Sequence, residues 1–162
     1  MIKTLIVDAR KCSGCRACET YCSLKHEGYC CPSKGRIHVV KWEREGIFVP
    51  VNCMRCKEPS CEIVCPKRAT YRNYATGAMA VDPYRCIGCL NCVSACPFGA
   101  TFVDQDNGRV LKCDLCDGDP TCVKVCPTGA LTYEELSKET YLRLVENADR
   151  MPELIKTALG EK

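Results

Sequence analysis

Aromatic residues are scarce in this chain of 162 residues, which contains only 3 Phe and 1 Trp. Hydrophobic residues make up 46% of the chain, but that figure includes the cysteines. Without them the apolar core is thin for a chain of one domain or two small lobes. We therefore expect metals or disulfides to hold the fold together, as they do in other small domains with weak cores.

Export and membrane signals are also missing. Residues 1–8 lack the apolar segment and cleavage site of a secretory signal, and no twin-arginine signal precedes the cysteines. No apolar run approaches the ~18 residues needed to cross a membrane. We therefore expect a cytoplasmic protein with no direct membrane span. Cytosolic thiols stay reduced, which makes disulfides the weaker explanation for abundant cysteine.

Nucleotide-binding and catalytic motifs are absent too. The chain has no glycine loop of the Rossmann or Walker type and no nucleophile–base arrangement. Binding of flavin, nicotinamide or pterin by this chain alone is unsupported, and we expect catalysis to occur on another polypeptide. Lys and Arg residues are scattered beside the cysteines rather than gathered in a stripe, which argues against a nucleic-acid partner.

Cysteine, in contrast, is abundant, at 18 of 162 residues. Sixteen cysteines fall into four blocks, each of which begins with a Cys-x2-Cys pair. The blocks are Cys12-x2-Cys15-x2-Cys18-x3-Cys22, Cys53-x2-Cys56-x4-Cys61-x3-Cys65-Pro66, Cys86-x2-Cys89-x2-Cys92-x3-Cys96-Pro97 and Cys113-x2-Cys116-x5-Cys122-x3-Cys126-Pro127. The spacing of blocks one and three is characteristic of 4Fe–4S clusters, with the fourth cysteine ligating a different cluster.

The four blocks repeat as two pairs. Blocks one and three share Cys-x-Gly-Cys-x-x-Cys, with Gly14 and Gly88 at equivalent positions. Blocks two and four share Pro-x-Cys-x-x-Val-Cys-Pro, starting at Pro59 and Pro120. The chain therefore reads as two halves, one-two and three-four, and we expect a pseudo-twofold arrangement.

Zinc is the main alternative explanation for these blocks. Paired zinc knuckles usually lie farther apart in sequence, and zinc does not require four cysteines packed within 11 residues. We therefore predict four 4Fe–4S clusters. Each cluster with its four thiolates carries about −2, so four of them would turn the formal charge of +3 into about −5.

Between the blocks, the pattern predicts short strands at residues 3–7, 36–42, 47–51, 79–81, 101–103 and 109–111. Glycine turns at 45–46 and 106–108 predict two hairpins. Each block is expected to run from a tight ligand loop into a short helix. Thr132-x-x-Glu135 resembles a helix capping box, and the apolar spacing from Tyr141 onward predicts amphipathic helices that Pro152 interrupts.

At these four blocks the sequence resembles the four-cluster ferredoxin-like iron–sulfur subunits of molybdenum and tungsten pterin oxidoreductases. Residues 23–28 and 42–50 look most like the small subunits of tungsten aldehyde oxidoreductases. The resemblance implies an α+β fold of tandem ferredoxin-like lobes, a duplicated dicluster ferredoxin with short β-hairpins and C-terminal helices. The four-cluster domain would span residues 1–133, with halves of about 1–78 and 79–133, and the helical tail would span 134–162.

In that family, blocks one and four exchange their last cysteines, as do blocks two and three. Carried over, the resemblance implies Cys12, Cys15, Cys18 and Cys126 for cluster 1, and Cys113, Cys116, Cys122 and Cys22 for cluster 2. It implies Cys53, Cys56, Cys61 and Cys96 for cluster 3, and Cys86, Cys89, Cys92 and Cys65 for cluster 4. Ser23 departs from the pattern, because Pro follows the last cysteine of the other blocks.

The resemblance further implies a non-catalytic electron-transfer subunit of an anaerobic oxidoreductase complex. Its clusters would relay electrons between a molybdenum or tungsten pterin catalytic subunit, with aldehyde oxidoreductase favoured, and a further redox subunit or ferredoxin. The alternatives are an electron carrier of a hydrogenase or formate dehydrogenase complex, a free polyferredoxin, and a structural interaction module stapled by metal. The tail is expected to pack on the chain's own clusters, to dock on a partner subunit, or to mediate self-association.

Several residues lie outside the ligand pattern. Cys30 and Cys31 fit no block and are expected to be passively buried. His26 and His38 are expected to be solvated or in the core, because no ligand position is vacant. Seven basic residues flank or interrupt the blocks and are either solvated or stabilise reduced clusters: Lys11, Arg16, Arg55, Lys57, Arg85, Lys112 and Lys124.

Overall fold

The computed structural model describes residues 3–140 and 142–143. Eight short strands pair into antiparallel two-stranded sheets: β1 (Lys3–Val7) with β8 (Leu131–Glu135), β2 (His38–Trp42) with β3 (Ile47–Val51), β4 (Thr70–Arg72) with β5 (Met79–Val81), and β6 (Phe102–Val103) with β7 (Val110–Leu111). The α-helices are α1 (Ala17–Glu27), α2 (Ser60–Ile63), α3 (Asn91–Ser94) and α4 (Thr121–Lys124). Single 3₁₀ turns lie at Ala9–Lys11, Pro32–Lys34 and Leu115–Gly118.

Most predicted strands are confirmed. β1, β3 and β5 have the predicted bounds, and both predicted hairpins form, as β2–β3 and β6–β7. Strand β4 was not predicted. It contains only three residues, too few for an alternating pattern to stand out, and it forms because Thr70 and Arg72 pair with Val81 and Met79 of β5.

The capping box predicted at Thr132 and Glu135 is wrong, because both residues belong to strand β8. Pairing with β1, from Val7↔Leu131 to Lys3↔Glu135, extends this segment instead of coiling it. The predicted boundary between residues 133 and 134 falls inside the same strand. The helical faces predicted from Tyr141 onward lie almost entirely outside the described residues.

Helix α1 is much longer than α2, α3 and α4, and Ser23 explains why. Helices α2, α3 and α4 end just before a Cys-Pro pair, and proline cannot continue a helix because it lacks an N–H. Ser23 allows α1 to pass through Cys22 and to end at Glu27. The fully buried Ser23 hydroxyl donates to the Thr20 carbonyl (2.8 Å) and accepts from the Cys31 N–H (2.9 Å).

No helix in residues 3–140 or 142–143 is long and apolar enough to cross a membrane. The cytoplasmic location stays a prediction.

The buried residues form two clusters that combine distant parts of the chain. The first joins cysteines of blocks one and four with residues that include Leu5, Ile37, Leu115 and Leu131. The second joins cysteines of blocks two and three with Met79 and Val110. Each predicted half, 1–78 and 79–133, contributes residues to both clusters. The tandem lobes stay a prediction.

Gly14 offers a test of packing around the first ligand loop. Its φ is +70°, and a Cβ added there would lie 2.5 Å from the Phe48 ring. At the equivalent position, Gly88 has φ +67° and nothing within 4 Å. Both Ala variants carry the left-handed strain of about 1–2 kcal/mol. We expect Gly14→Ala to lose a further ~1–3 kcal/mol, because Phe48 must move.

The measurement is anaerobic thermal unfolding of both variants, with Gly88→Ala as the matched control. We expect the lower apparent Tm for Gly14→Ala. Equal Tm values would contradict the proposed contact between Gly14 and Phe48.

Candidate iron–sulfur cluster sites

The ligand loops of blocks one and three have the same backbone conformation. Gly14 and Gly88 adopt φ values of 70° and 67°. Arg16 and Leu90, which cap α1 and α3, adopt φ values of 61° and 60°. Two left-handed residues so close together curl each loop tightly before its helix begins. The internal repeat read from the sequence therefore extends to local backbone geometry in these two loops.

The turn after the Cys-Pro pair directs backbone N–H groups at sulfur. Ala69 N–H donates to Cys65 Sγ (3.2 Å), and Ala100 N–H donates to Cys96 Sγ (3.4 Å). Burial alone would raise the pKa of both thiols, but these and neighbouring hydrogen bonds outweigh it and leave each pKa lowered. Such donors are the outer-shell contacts that support metal-bound thiolates.

Block one lacks the Cys-Pro turn, so its last cysteine accepts a hydrogen bond from another part of the backbone. The Arg36 N–H, from the loop before β2, donates to Cys22 Sγ at 3.2 Å. Burial of Cys22 inside the structure outweighs this bond and raises its pKa to about 11.

Three small cavities are each lined by four cysteines from two different blocks. The sets are site 1 (Cys12, Cys15, Cys18 and Cys126), site 2 (Cys22, Cys113, Cys116 and Cys122) and site 4 (Cys65, Cys86, Cys89 and Cys92). These are the sets that the resemblance implies for clusters 1, 2 and 4. In each cavity one block supplies three cysteines and another block supplies the fourth.

The remaining four cysteines form a fourth set, site 3 (Cys53, Cys56, Cys61 and Cys96). Burial raises the pKa of Cys56, and the charges of the other three cysteines raise it further, so all three lie within electrostatic range of Cys56. Cys53 and Cys61 belong to the second buried cluster. The structure therefore brings the sixteen predicted residues into four sets of four.

Cysteines of different sets influence one another's pKa, and these effects link the four sites in a row, in the order 1, 2, 3 and 4. The charge of Cys18 in site 1 raises the pKa of Cys122 in site 2. The charge of Cys53 in site 3 raises the pKa of Cys113 in site 2. Cys61 of site 3 acts on Cys92 of site 4. Cys15 and Cys89, at the two ends of the row, are exposed. Sites 1 and 4 therefore reach the surface, with sites 2 and 3 between them.

The donor set fits a metal cluster. All eighteen cysteines are free of disulfides. Burial raises the pKa of Cys18 and Cys113 to about 12, so these thiols would stay protonated unless a cation held them as thiolates. Asn52, next to Cys53, is 2% exposed, and its Nδ2 has no hydrogen-bond partner. Buried amide donors rarely stay unpaired, and cluster sulfur is a suitable acceptor.

A polar network beside site 2 was not predicted. Arg36 Nη1 pairs with Asp114 Oδ2 at 2.5 Å. His26 Nε2 lies 3.4 Å from Asp114 Oδ1 and 3.6 Å from Cys116 Sγ. Burial lowers the pKa of His26, and the positive charge of Arg36 lowers it further. His26 reaches this position only because α1 continues past Ser23, so the departure of Ser23 from the family pattern was the available signal.

The other histidine has a structural environment. The His38 ring packs edge-on against Phe102, with ring centroids 4.2 Å apart. Its Nδ1 lies 3.9 Å from the buried Glu19 carboxylate. That carboxylate also accepts from the Val39 N–H (2.5 Å) and pairs with Arg16, so it ties α1 to β2.

The expectation that Cys30 and Cys31 are buried is wrong. Cys30 is exposed and Cys31 is partly exposed, because α1 ends at Glu27 and the chain then runs along the surface. The Sγ of Cys31 lies 3.2 Å from the Ser33 hydroxyl, and neither cysteine lines any of the four sites.

The basic residues near the blocks differ in burial. Lys11, Lys57, Arg85 and Lys124 are exposed, in agreement with solvation. Lys112 is 5% exposed and lies inside the protein. Its burial was not predicted, because the sequence around block four is dominated by cysteine and carries no periodic apolar pattern.

The sequence model of the 4Fe-4S dicluster domain matches residues 44–136, more than half of the chain. The chain belongs to this family. The matched region of this dicluster protein contains blocks two, three and four, and block one precedes it.

The relatives of this chain include proteins named as a polyferredoxin-like subunit and as an electron transport protein. The chain is 42% identical over 119 residues to the aliphatic sulfonate oxidoreductase, polyferredoxin-like subunit, of Pyrococcus furiosus, covering 74% of this chain and 68% of that protein. It is 36% identical over 164 residues to the electron transport protein HydN of Escherichia coli, covering 85% and 91%. It is 36% identical over 134 residues to the NADH-dependent phenylglyoxylate dehydrogenase subunit beta of Aromatoleum evansii, covering 80% of this chain but only 30% of that protein.

These names agree with the prediction of a non-catalytic iron–sulfur subunit. Three points stay predictions: the number of clusters, their ligands and a tungsten aldehyde oxidoreductase as the partner.

Exchange of cysteines between blocks can be tested by comparing ligand variants. Cys22 and Cys113 lie in different blocks but line the same cavity, whereas Cys22 and Cys18 share a block but line different cavities. We expect Cys22→Ser and Cys113→Ser to alter the same EPR signal of the reduced protein. Cys18→Ser should alter a different one.

Each variant is purified anaerobically, and iron is measured alongside the EPR spectrum. If Cys22→Ser and Cys18→Ser changed the same signal, the clusters would be built within blocks and the exchange would be excluded. Cys30→Ser, outside every site, serves as the control and should leave all signals unchanged.

Proposed function

We propose that this protein is the electron-transfer subunit of an oxidoreductase complex and that it holds four 4Fe–4S clusters, at sites 1 to 4. Membership of the dicluster family and the named relatives support the iron–sulfur electron-transfer role. The single observation that carries the four-cluster proposal is the gathering of sixteen cysteines into four sets in a row, with an exposed cysteine at each end.

A bound 4Fe–4S cluster supplies one-electron chemistry at a potential set by its surroundings. The chain's own residues then have three tasks. The cysteines hold the iron, and the N–H groups of Ala69, Ala100 and Arg36 stabilise the ligand sulfurs. The apolar residues around sites 2 and 3, such as Leu115 and Met79, exclude water from the middle of the row.

Electrons would enter at one exposed end and leave at the other, because Cys15 and Cys89 bring sites 1 and 4 to the surface. We propose a molybdenum or tungsten pterin subunit, with aldehyde oxidoreductase favoured, as the catalytic partner. The resemblance of residues 23–28 and 42–50 supports this choice. Part of the second segment lies beside site 1, where Pro50 lines the cavity and Phe48 packs on Gly14.

A free electron carrier is the second candidate function. It is favoured by the similarity to HydN, which covers 91% of that protein. HydN is named as an electron transport protein, and its name mentions no complex. Gel filtration of the native protein separates the two candidates, since a dedicated subunit elutes with its partner and a free carrier elutes alone.

Metal analysis of the protein purified anaerobically from its host is the first test. We expect about 16 iron atoms per copy of this chain, from four clusters of four. Tungsten or molybdenum in the same fraction would support the pterin partner, whereas iron without either metal would favour a hydrogenase-type partner or a free carrier. Zinc in place of iron would overturn the proposal.

A redox titration of the same sample separates an electron relay from a structural module. Several reducible centres are expected for a relay, because each site must accept an electron. Iron that stays in one oxidation state throughout the titration would instead indicate a metal-stapled scaffold.

Cys18→Ser tests whether the row works as a single path. Loss of one site 1 ligand should remove up to about 4 of 16 iron atoms and most of the electron transfer from the catalytic partner to an external dye. Cys30→Ser should keep both. Wild-type electron transfer by a Cys18→Ser protein that has lost this iron would argue against a linear row.

A further inference from the structure

Lys112 is a buried cation without a carboxylate partner. Only 5% of its surface is exposed, and its Nζ donates to the Thr101 hydroxyl at 2.8 Å. No carboxylate oxygen in residues 3–140 or 142–143 lies within 4.0 Å of this ammonium group. Burial of an unpaired charge costs several kcal/mol, so a negative group is expected nearby.

The negative groups that act on Lys112 are cysteine sulfurs, three of them from site 3 and one, Cys92, from site 4. Burial would lower the pKa of Lys112, but the charges of Cys53, Cys61 and Cys96 outweigh it and leave that pKa raised. Thr101, which accepts from Lys112, follows Ala100, whose N–H donates to the Cys96 sulfur at 3.4 Å. Lys112 is therefore linked to Cys96 through the Thr101–Ala100 segment and lies within electrostatic range of Cys53 and Cys61.

The other cations near the sites have carboxylate or carbonyl partners. Arg36 pairs with Asp114 and Arg16 pairs with Glu19. The Arg55 guanidinium is satisfied by the Thr4 hydroxyl and by the carbonyls of Cys53 and Leu5. Lys112 differs because its ammonium has one hydrogen bond, to the Thr101 hydroxyl, and no carboxylate or carbonyl partner among the described residues.

We propose that Lys112 is the counter-ion of the cluster at site 3 and that it raises the reduction potential of this site. The inference rests on the proposed function, since it requires iron at site 3. Uptake of one electron adds one negative charge at the site, with no bond made or broken and no proton required. The nearby positive charge stabilises that extra negative charge, in a region from which water is largely excluded.

The consequence is a change in reduction potential within the row of sites. Site 3 lies between sites 2 and 4, so an electron that enters from either end meets a position where it is held more strongly than the cysteines alone would hold it. Lys112 would thus be a positioning residue for charge, acting on the electron without contacting a substrate.

The test is a redox titration, followed by EPR, of the holoprotein with Lys112→Met. We expect the largest shift at one centre, whose midpoint potential should become more negative by about tenfold in its equilibrium constant for reduction, or ~59 mV for a one-electron couple. Iron content should stay at the wild-type value. The centre that shifts should be the one whose EPR signal changes in Cys56→Ser.

Two further variants serve as controls. Lys57→Met removes an exposed lysine from the site 3 loop and should shift no centre appreciably, because solvent screens its charge. Lys112→Arg keeps the positive charge and should remain close to wild type.

The outcomes separate this inference from the proposed function. Unchanged potentials in a Lys112→Met protein with full iron would overturn the role of Lys112, while four reducible clusters in the wild type would leave the proposed function intact. If Lys112→Met lost iron, Lys112→Gln would decide. Iron and potential restored by this neutral side chain would mean a packing role and overturn the inference, whereas restoration by Lys112→Arg alone would support it.

Discussion

The fold depends on one constraint, which is that every cysteine set takes three sulfur atoms from one block and the fourth from another. Blocks one and four are joined in this way at sites 1 and 2, and blocks two and three at sites 3 and 4. The strands are too short to build an extensive sheet, and they serve mainly to return the chain to these points. The β1–β8 pair closes the outer pair of sites, and β4–β5 and β6–β7 flank the inner pair.

Gathering so many thiols in the interior has an electrostatic cost, and the structure offsets it locally. Backbone N–H groups after the Cys-Pro turns point at the sulfur atoms, as at Cys65 and Cys96. Where that turn is missing, Arg36 supplies an equivalent donor to Cys22. At Cys113, desolvation of the sulfur prevails and raises the pKa to about 12, so a bound metal would supply the compensating positive charge.

The sequence carried most of the cysteine geometry but little of what surrounds it. Spacing alone predicted the ligand loops, and three of the four cysteine sets that the resemblance implies line the three cavities. Strand β8 was missed because Thr132 and Glu135 also satisfy a helix-start pattern, and only pairing with β1 decides between the two structures. The positions of His26 and Lys112 depend on contacts with Cys116 and Thr101, which are distant in sequence, so no local pattern could reveal them.

The nesting of the two pairs of sites bears on how the chain is made. All eight cysteines of sites 3 and 4 lie between Cys53 and Cys96, whereas sites 1 and 2 join Cys12–Cys22 to Cys113–Cys126. A ribosome therefore exposes every ligand of the inner pair before it has synthesised the last ligands of the outer pair. Closing the longer loop also costs more chain entropy. Iron delivery during synthesis would then proceed from the middle of the protein outward, and the pairing of β1 with β8 would seal it last.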